Sequence, residues 1–127
     1  MQLSTQTDPR LQGLRVIVVE DETLVAILLE DMLTDLGCEV LWTAHRVPRA
    51  LDLVAQSKPD AAVLDVNIAG DEVYPVAQAL VERNIPFVFA TGYGARGLSD
   101  TWRGRPIVQK PFQAEHLSRS LLAALGR

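Results

Sequence analysis

Five short apolar runs, each no longer than a strand, alternate along the chain with stretches whose apolar residues recur at helical spacing. The runs are Arg15-Val16-Ile17-Val18-Val19, Glu39-Val40-Leu41-Trp42, Ala61-Ala62-Val63-Leu64, Pro86-Phe87-Val88-Phe89-Ala90 and Pro106-Ile107-Val108-Gln109. Continuous apolar strands of this kind are buried on both faces. Between them, Leu24, Leu28, Met32 and Leu36, flanked by Val25, Leu29 and Leu33, predict a first helix capped by Thr23 and stopped at Gly37. Val47, Ala50, Leu51 and Val54 predict a second, with Pro48 in its first turn, ended by Lys58-Pro59. Val76, Ala77, Leu80 and Val81 predict a third over 71–83, and Leu117, Leu121 and Leu125 a last one from about Gln113. Gly92, Gly94, Gly97 and Gly104 leave room in 92–105 only for a short, weak helix. Strand–helix alternation with short loops implies a parallel sheet covered on both faces. The expected fold is α/β: a five-stranded parallel sheet with helices on both faces.

In open sheets of this class, ligands bind beyond the C-terminal strand ends. The polar residues that carry chemistry all follow such ends. Glu20-Asp21-Glu22 follows the first strand, Asp65 the third, Thr91 the fourth and Lys110-Pro111 the fifth. Taken singly, each has a plain reading. The acids complement the next helix N-terminus, Asp65 and Thr91 are turn residues, and Lys110 is a solvated loop lysine. Together they supply a carboxylate nucleophile, hard oxygen ligands suited to Mg²⁺, a hydroxyl donor and an ammonium, the parts that phosphoryl transfer needs. The Lys110-Pro111 bond is a candidate cis peptide, which would turn the lysine inward.

Three other readings are open on the residues alone. Gly92, Gly94 and Gly97 match G-x-G-x-x-G after a strand, the pattern of dinucleotide binding, but in the fourth unit, with no ribose-binding acid to follow. An aspartate-nucleophile phosphatase would want a second aspartate two residues after Asp65, where Asn67 stands. A docking module without phosphorylation would have no use for the full acid, hydroxyl and amine set.

The order and context of Glu20-Asp21, Asp65, Thr91 and Lys110-Pro111-Phe112 resemble the receiver domain of bacterial two-component response regulators, over residues 14–127. Phe89-Ala90-Thr91-Gly92-Tyr93 further resembles the "FAT GUY" subgroup of single-domain regulators. The resemblance implies a flavodoxin-like doubly wound (βα)5 fold of strand order 2-1-3-4-5, and it implies that Asp65 takes a phosphoryl group from a histidine kinase or a histidine phosphotransfer domain. It implies Mg²⁺ held by Asp21, Asp65 and the Asn67 backbone carbonyl, with Glu20 assisting. Thr91 would bond a phosphoryl oxygen and Lys110 would pair with it, while Asn67 and Tyr93 would tune dephosphorylation. The implied protein is a phosphoacceptor, not a turnover enzyme. One departure stands at Ile107, where most receivers carry an aromatic that rotates as the threonine moves.

Composition bounds the partners. The 127 residues suit one domain, and a net charge of −4 with scattered arginines excludes a general nucleic-acid binder. Cys38 is alone, so no disulfide framework or thiolate metal site is available, and a reducing cytoplasmic setting is expected. No apolar stretch reaches the roughly 18 residues of a membrane span, so no membrane partner is expected. His45 and His116 read as surface residues, Cys38 as a small buried hydrophobe, and Trp42 and Trp102 as packing residues. Residues 1–13 are polar, with breakers at Pro9 and Gly13, and read as a flexible tail on a single domain of residues 14–127. Output would then pass by contact with a downstream protein, or the chain would act as a phosphate sink.

Overall fold

The computed structural model describes residues 8–127. Strands β1 (Arg15–Val19), β2 (Glu39–Ala44), β3 (Ala61–Asp65), β6 (Phe87–Thr91) and β7 (Ile107–Gln109) form one sheet in the order β2-β1-β3-β6-β7. Every pairing in it is parallel. This is the expected 2-1-3-4-5 order, because β4 (Asn67–Ile68) and β5 (Asp71–Glu72) form a separate antiparallel hairpin just past β3. Helices α1 (Thr23–Asp35), α2 (Val47–Gln56), α3 (Tyr74–Glu82) and α4 (Ala114–Leu125) complete the chain.

Side chains alternate across each strand, and so the sheet separates two cores. Ile17, Val19, Ala62, Leu64, Phe87 and Phe89 point to the side covered by α2 and α3. Val16, Val18, Ala61, Val63, Val88 and Ala90 point to the side covered by α1 and α4. Apolar residues on both pleats explain why the runs are continuous rather than alternating.

The first helix turns differently from the expectation. Ala26, Leu29, Leu33 and Leu36 face the core, whereas Leu24 is 82% exposed and Leu28 about half exposed. Both stripes have helical spacing. The helix is apolar around much of its circumference, so periodicity alone does not select its phase. Glu22, not Thr23, occupies the cap position, and no side chain caps the helix.

The tail expectation also needs correction. Residues 1–7 lie outside the described residues, but residues 8–13 pack on the domain. Leu11 is 0% exposed and joins Leu14, Leu33, Leu36 and Cys38 in one core. The Asp8 N–H donates to Leu36 O at 3.4 Å and the Gly13 N–H to Gly37 O at 2.8 Å. The segment thus covers the open end of α1. One leucine among polar residues carries no period, which is why the sequence did not show this.

Residues 92–105 hold two 3-10 turns, Gly94–Gly97 and Asp100–Trp102, in place of a helix. Trp102 is buried and stacks on Tyr74 with ring centroids 5.9 Å apart. The Tyr74 hydroxyl accepts from the Ser99 N–H at 2.9 Å. Arg105 lies over the Phe87 ring, 5.1 Å from its centroid. The segment is thus anchored through Leu98 and Trp102, while its first residues line the sheet edge.

Candidate functional site

The parallel register brings the C-terminal strand ends level. Val19 pairs with Leu64, Asp65 with Ala90 and Thr91 with Gln109. The ladder runs one residue further on both sides of the sheet: Glu20 N–H bonds Ala44 O at 3.0 Å and Lys110 N–H bonds Thr91 O at 3.0 Å. The residue after each strand is therefore held by backbone bonds at a common edge. Glu20, Asp65 and Thr91 are the only buried polar side chains among the described residues.

These ends open into a cleft of about 670 Å³ lined by Asp21, Asp65, Asn67, Thr91, Tyr93 and Lys110, among others. Lys110 Nζ lies 3.1 Å from Glu20 Oε1 and 3.2 Å from Asp65 Oδ1, so one ammonium bridges two carboxylates. The Lys110-Pro111 bond is cis, the less common of the two forms open to an X–Pro bond. Burial alone would lower the Lys110 pKa, but the charges of Asp65 and Glu20 outweigh it and raise the value. Glu20 is pushed up to about 7, first by burial and then by the Asp65 charge, against the pull of the Glu22 N–H and Lys110.

Carboxylate oxygens of Glu20, Asp21 and Asp65 lie within 4.8 Å of one another. Glu20 Oε1 is buried and makes no hydrogen bond; its contact with Lys110 is an ion pair without bonding geometry. A buried oxygen that has an ion pair but no hydrogen bond, beside two more carboxylates, belongs to a donor set that fits a hard divalent cation. The hairpin shapes this acid set. The Ala69 N–H donates to Asp21 Oδ2 at 3.0 Å, and the Gly70 N–H to Asn67 Oδ1 at 3.0 Å. Ala69 (φ 54) and Gly70 (φ 90) are both left-handed, as a tight two-residue turn requires.

Glu20, Asp21, Asp65, Asn67, Thr91, Tyr93 and Lys110 are thus gathered in one place, with different exposures, and Ile107 and Pro111 are not. Thr91 is 3% exposed, and its Oγ1 accepts from the Tyr93 N–H at 3.1 Å. Tyr93 is 76% exposed at the rim, and Asn67 is also exposed. Ile107 stands apart from the cleft, half-buried against the α2/α3 core, and Pro111 is exposed. His45 is exposed, but its Nδ1 lies 2.8 Å from the Glu20 carbonyl and so steadies the β1 end. Two contributors were not visible as site residues in the sequence. The Ala69 N–H is a backbone group, signalled only by the following glycine. Gly97 lines the cleft beside Thr91, a place that neither its reading as a breaker nor its match to the third glycine of G-x-G-x-x-G points to.

A doubly wound sheet whose central strand ends in an aspartate, held between an acidic pair and a lysine, defines a class of signalling domain. The family model described as "Response regulator receiver domain" matches residues 16–121, and the chain belongs to that family. The solution structure of SdrG from Sphingomonas melonis Fr1 is similar, at 42% identity and a TM-score of 0.81, covering 91% of this chain and 98% of that one. The receiver domain of PhyR from Erythrobacter litoralis is 28% identical at a TM-score of 0.80, covering 92% of this chain and 93% of that one. Among curated proteins, the transcriptional regulatory protein PdtaR of Mycobacterium tuberculosis (strain ATCC 25618 / H37Rv) is 28% identical over 117 residues, covering 89% of this chain and 57% of PdtaR. The phyllosphere-induced regulator PhyR of Methylorubrum extorquens is 30% identical over 115 residues, covering 87% of this chain and 43% of that protein. The chain thus spans about half the length of the curated relatives it matches. No helix among the described residues is long and apolar enough to cross a membrane.

Proposed function

We propose that this chain receives a phosphoryl group on Asp65 from a histidine kinase or histidine phosphotransfer domain and passes the signal on by protein contact. The observation that carries the reading is the Asp65 carboxylate, buried at the end of the central strand and 3.2 Å from the Lys110 ammonium that also pairs with Glu20, in a cleft shared with Asp21 and Thr91. An Asp65 oxygen attacks phosphorus, the phosphorus–nitrogen bond of the donor breaks, and its electron pair leaves with the imidazole. Lys110 neutralises the incoming phosphoryl oxygens. The Thr91 hydroxyl donates to one of them once it leaves the Tyr93 N–H. Mg²⁺, held by Glu20, Asp21, Asp65 and the Asn67 carbonyl, would supply further charge neutralisation for an anionic donor among three carboxylates. Asn67 and the exposed Tyr93 stand at the mouth, where side-chain bulk and polarity govern how water reaches a phosphorylated Asp65.

The fraction of chain modified is set by kinase and hydrolysis, with no substrate turned over. The run Phe89 to Tyr93 supports placement with single-domain regulators of the FAT GUY type, in a cytoplasmic phosphorelay. Incubation with acetyl phosphate and Mg²⁺, followed by intact mass, tests the reading. Wild type should gain the mass of one phosphoryl group and Asp65→Asn should not. An undiminished gain in Asp65→Asn removes Asp65 from the role, and no gain in wild type defeats the reading.

A further inference from the structure

Gly97 closes the first 3-10 turn of the glycine-punctuated segment and lines the same cleft as Asp65 and Lys110. Its backbone does not need glycine. Gly94 sits at φ +60 and Gly104 at φ +93, both left-handed, but Gly97 is not among the glycines with positive φ. What it provides is space. A Cβ built on Gly97 would stand 2.3 Å from Thr91 Oγ1 and 3.3 Å from Thr91 Cβ. Real side-chain carbons do not approach an oxygen so closely, so any other residue at 97 forces a movement. Thr91 is itself buried, and its hydroxyl is held there by the Tyr93 N–H at 3.1 Å.

We propose that Gly97 is a positioning residue. Its missing side chain forms the slot in which the Thr91 hydroxyl rests before phosphorylation, and the volume at position 97 sets the balance between the resting and engaged rotamers of Thr91. The proposal rests on the reading of Asp65 as phosphoacceptor with Thr91 as its hydroxyl partner. Thr91 has three staggered rotamers. A methyl group at 97 eliminates the one seen here, and the hydroxyl must leave the Tyr93 N–H. Where binding needs a minor conformer, apparent affinity is reduced by that conformer's fraction. Emptying the resting rotamer therefore raises affinity for a phosphoryl mimic. Gly97→Ala is a clean perturbation because its φ imposes no left-handed strain.

The test uses the full chain with Mg²⁺ and beryllofluoride. The Thr91 χ1 rotamer is read from three-bond couplings, and affinity from a titration followed by backbone NMR. Gly97→Ala should shift the Thr91 rotamer without beryllofluoride and tighten the half-saturation point by about fivefold or more, the lower end of ordinary coupling between sites. In a Thr91→Ala background, Gly97→Ala should leave the half-saturation point unchanged. An unchanged Thr91 rotamer in ligand-free Gly97→Ala, or equal tightening with and without the threonine, overturns the proposal. If Gly97→Ala does not fold, the wild-type rotamer decides: a χ1 change on adding beryllofluoride supports the slot, and no change overturns it. If wild type shows no saturable shifts around Asp65, it is the phosphoacceptor reading that fails. The ligand-free rotamer of Gly97→Ala still decides the slot by itself.

Discussion

Glu20→Gln should make the metal-free protein more stable at neutral pH while weakening its chemistry. Glu20 is 1% exposed, one of its oxygens makes no hydrogen bond, and burial with the Asp65 charge raises its pKa to about 7. The ordinary value is 4.5. A carboxyl raised on folding binds its proton more tightly in the native state. Its relative stabilisation is therefore full below about pH 4.5 and is lost as pH climbs through about 7. A shift of that size corresponds to about 3 kcal/mol between the two ends of the window. Glutamine has the same shape, still accepts from the Glu22 N–H, which lies 3.2 Å from Glu20 Oε2, and carries no charge. Some of the gain is offset because Lys110 keeps only Asp65 as an ion-pair partner. The net expectation is about 1–3 kcal/mol of added stability at pH 8, fading towards zero at pH 4.5. Urea unfolding of both proteins in chelator, at intervals from pH 4.5 to 8, reads this difference directly. Phosphorylation by acetyl phosphate with Mg²⁺, measured in parallel, should slow. A stability difference that is flat with pH, or a variant less stable than wild type at pH 8, refutes the argument that Glu20 is a strained buried carboxylate.

Leu11→Ala should cost about 2–5 kcal/mol, roughly 10 °C in melting temperature, because a fully buried leucine is truncated; a loss under about 1 kcal/mol would show that residues 8–13 do not hold to α1. Lys110→Ala should slow phosphorylation about 10- to 100-fold, the range for a lost bond to a charged group of about 1.5–3 kcal/mol, and should mute the spectral response of the remainder; spectra of the phosphorylated variant that match phosphorylated wild type would dismiss the coupling role. Beryllofluoride should alter hydrogen-exchange protection in 92–97 more than in 98–105, since Leu98 and Trp102 anchor the second part. Changes confined to the surroundings of Asp65 would leave the glycine segment out of the switch.

The sequence by itself determined the layered sheet and the membership of its edge. Continuous apolar runs of strand length can be buried only on two faces, and helical spacing between them supplies the covering layers. Once the strands are parallel, Glu20, Asp65, Thr91 and Lys110 are neighbours whatever the loops do, because each ends its strand or follows it directly. Tertiary structure decided what depends on phase and on single contacts. α1 has two apolar stripes, and only docking on the sheet selects Ala26, Leu29 and Leu33 over Leu24 and Leu28. Leu11 has no periodic company and becomes core only because Gly13 and Gly37 bring its segment against α1. Asp21 is aimed by a backbone N–H from a hairpin too short to show a strand pattern. Gly97 reads in the chain as a breaker, yet its backbone has no need of glycine. Its meaning lies in the Thr91 hydroxyl that occupies the place of a side chain, a contact between parts of the fold that no local pattern records.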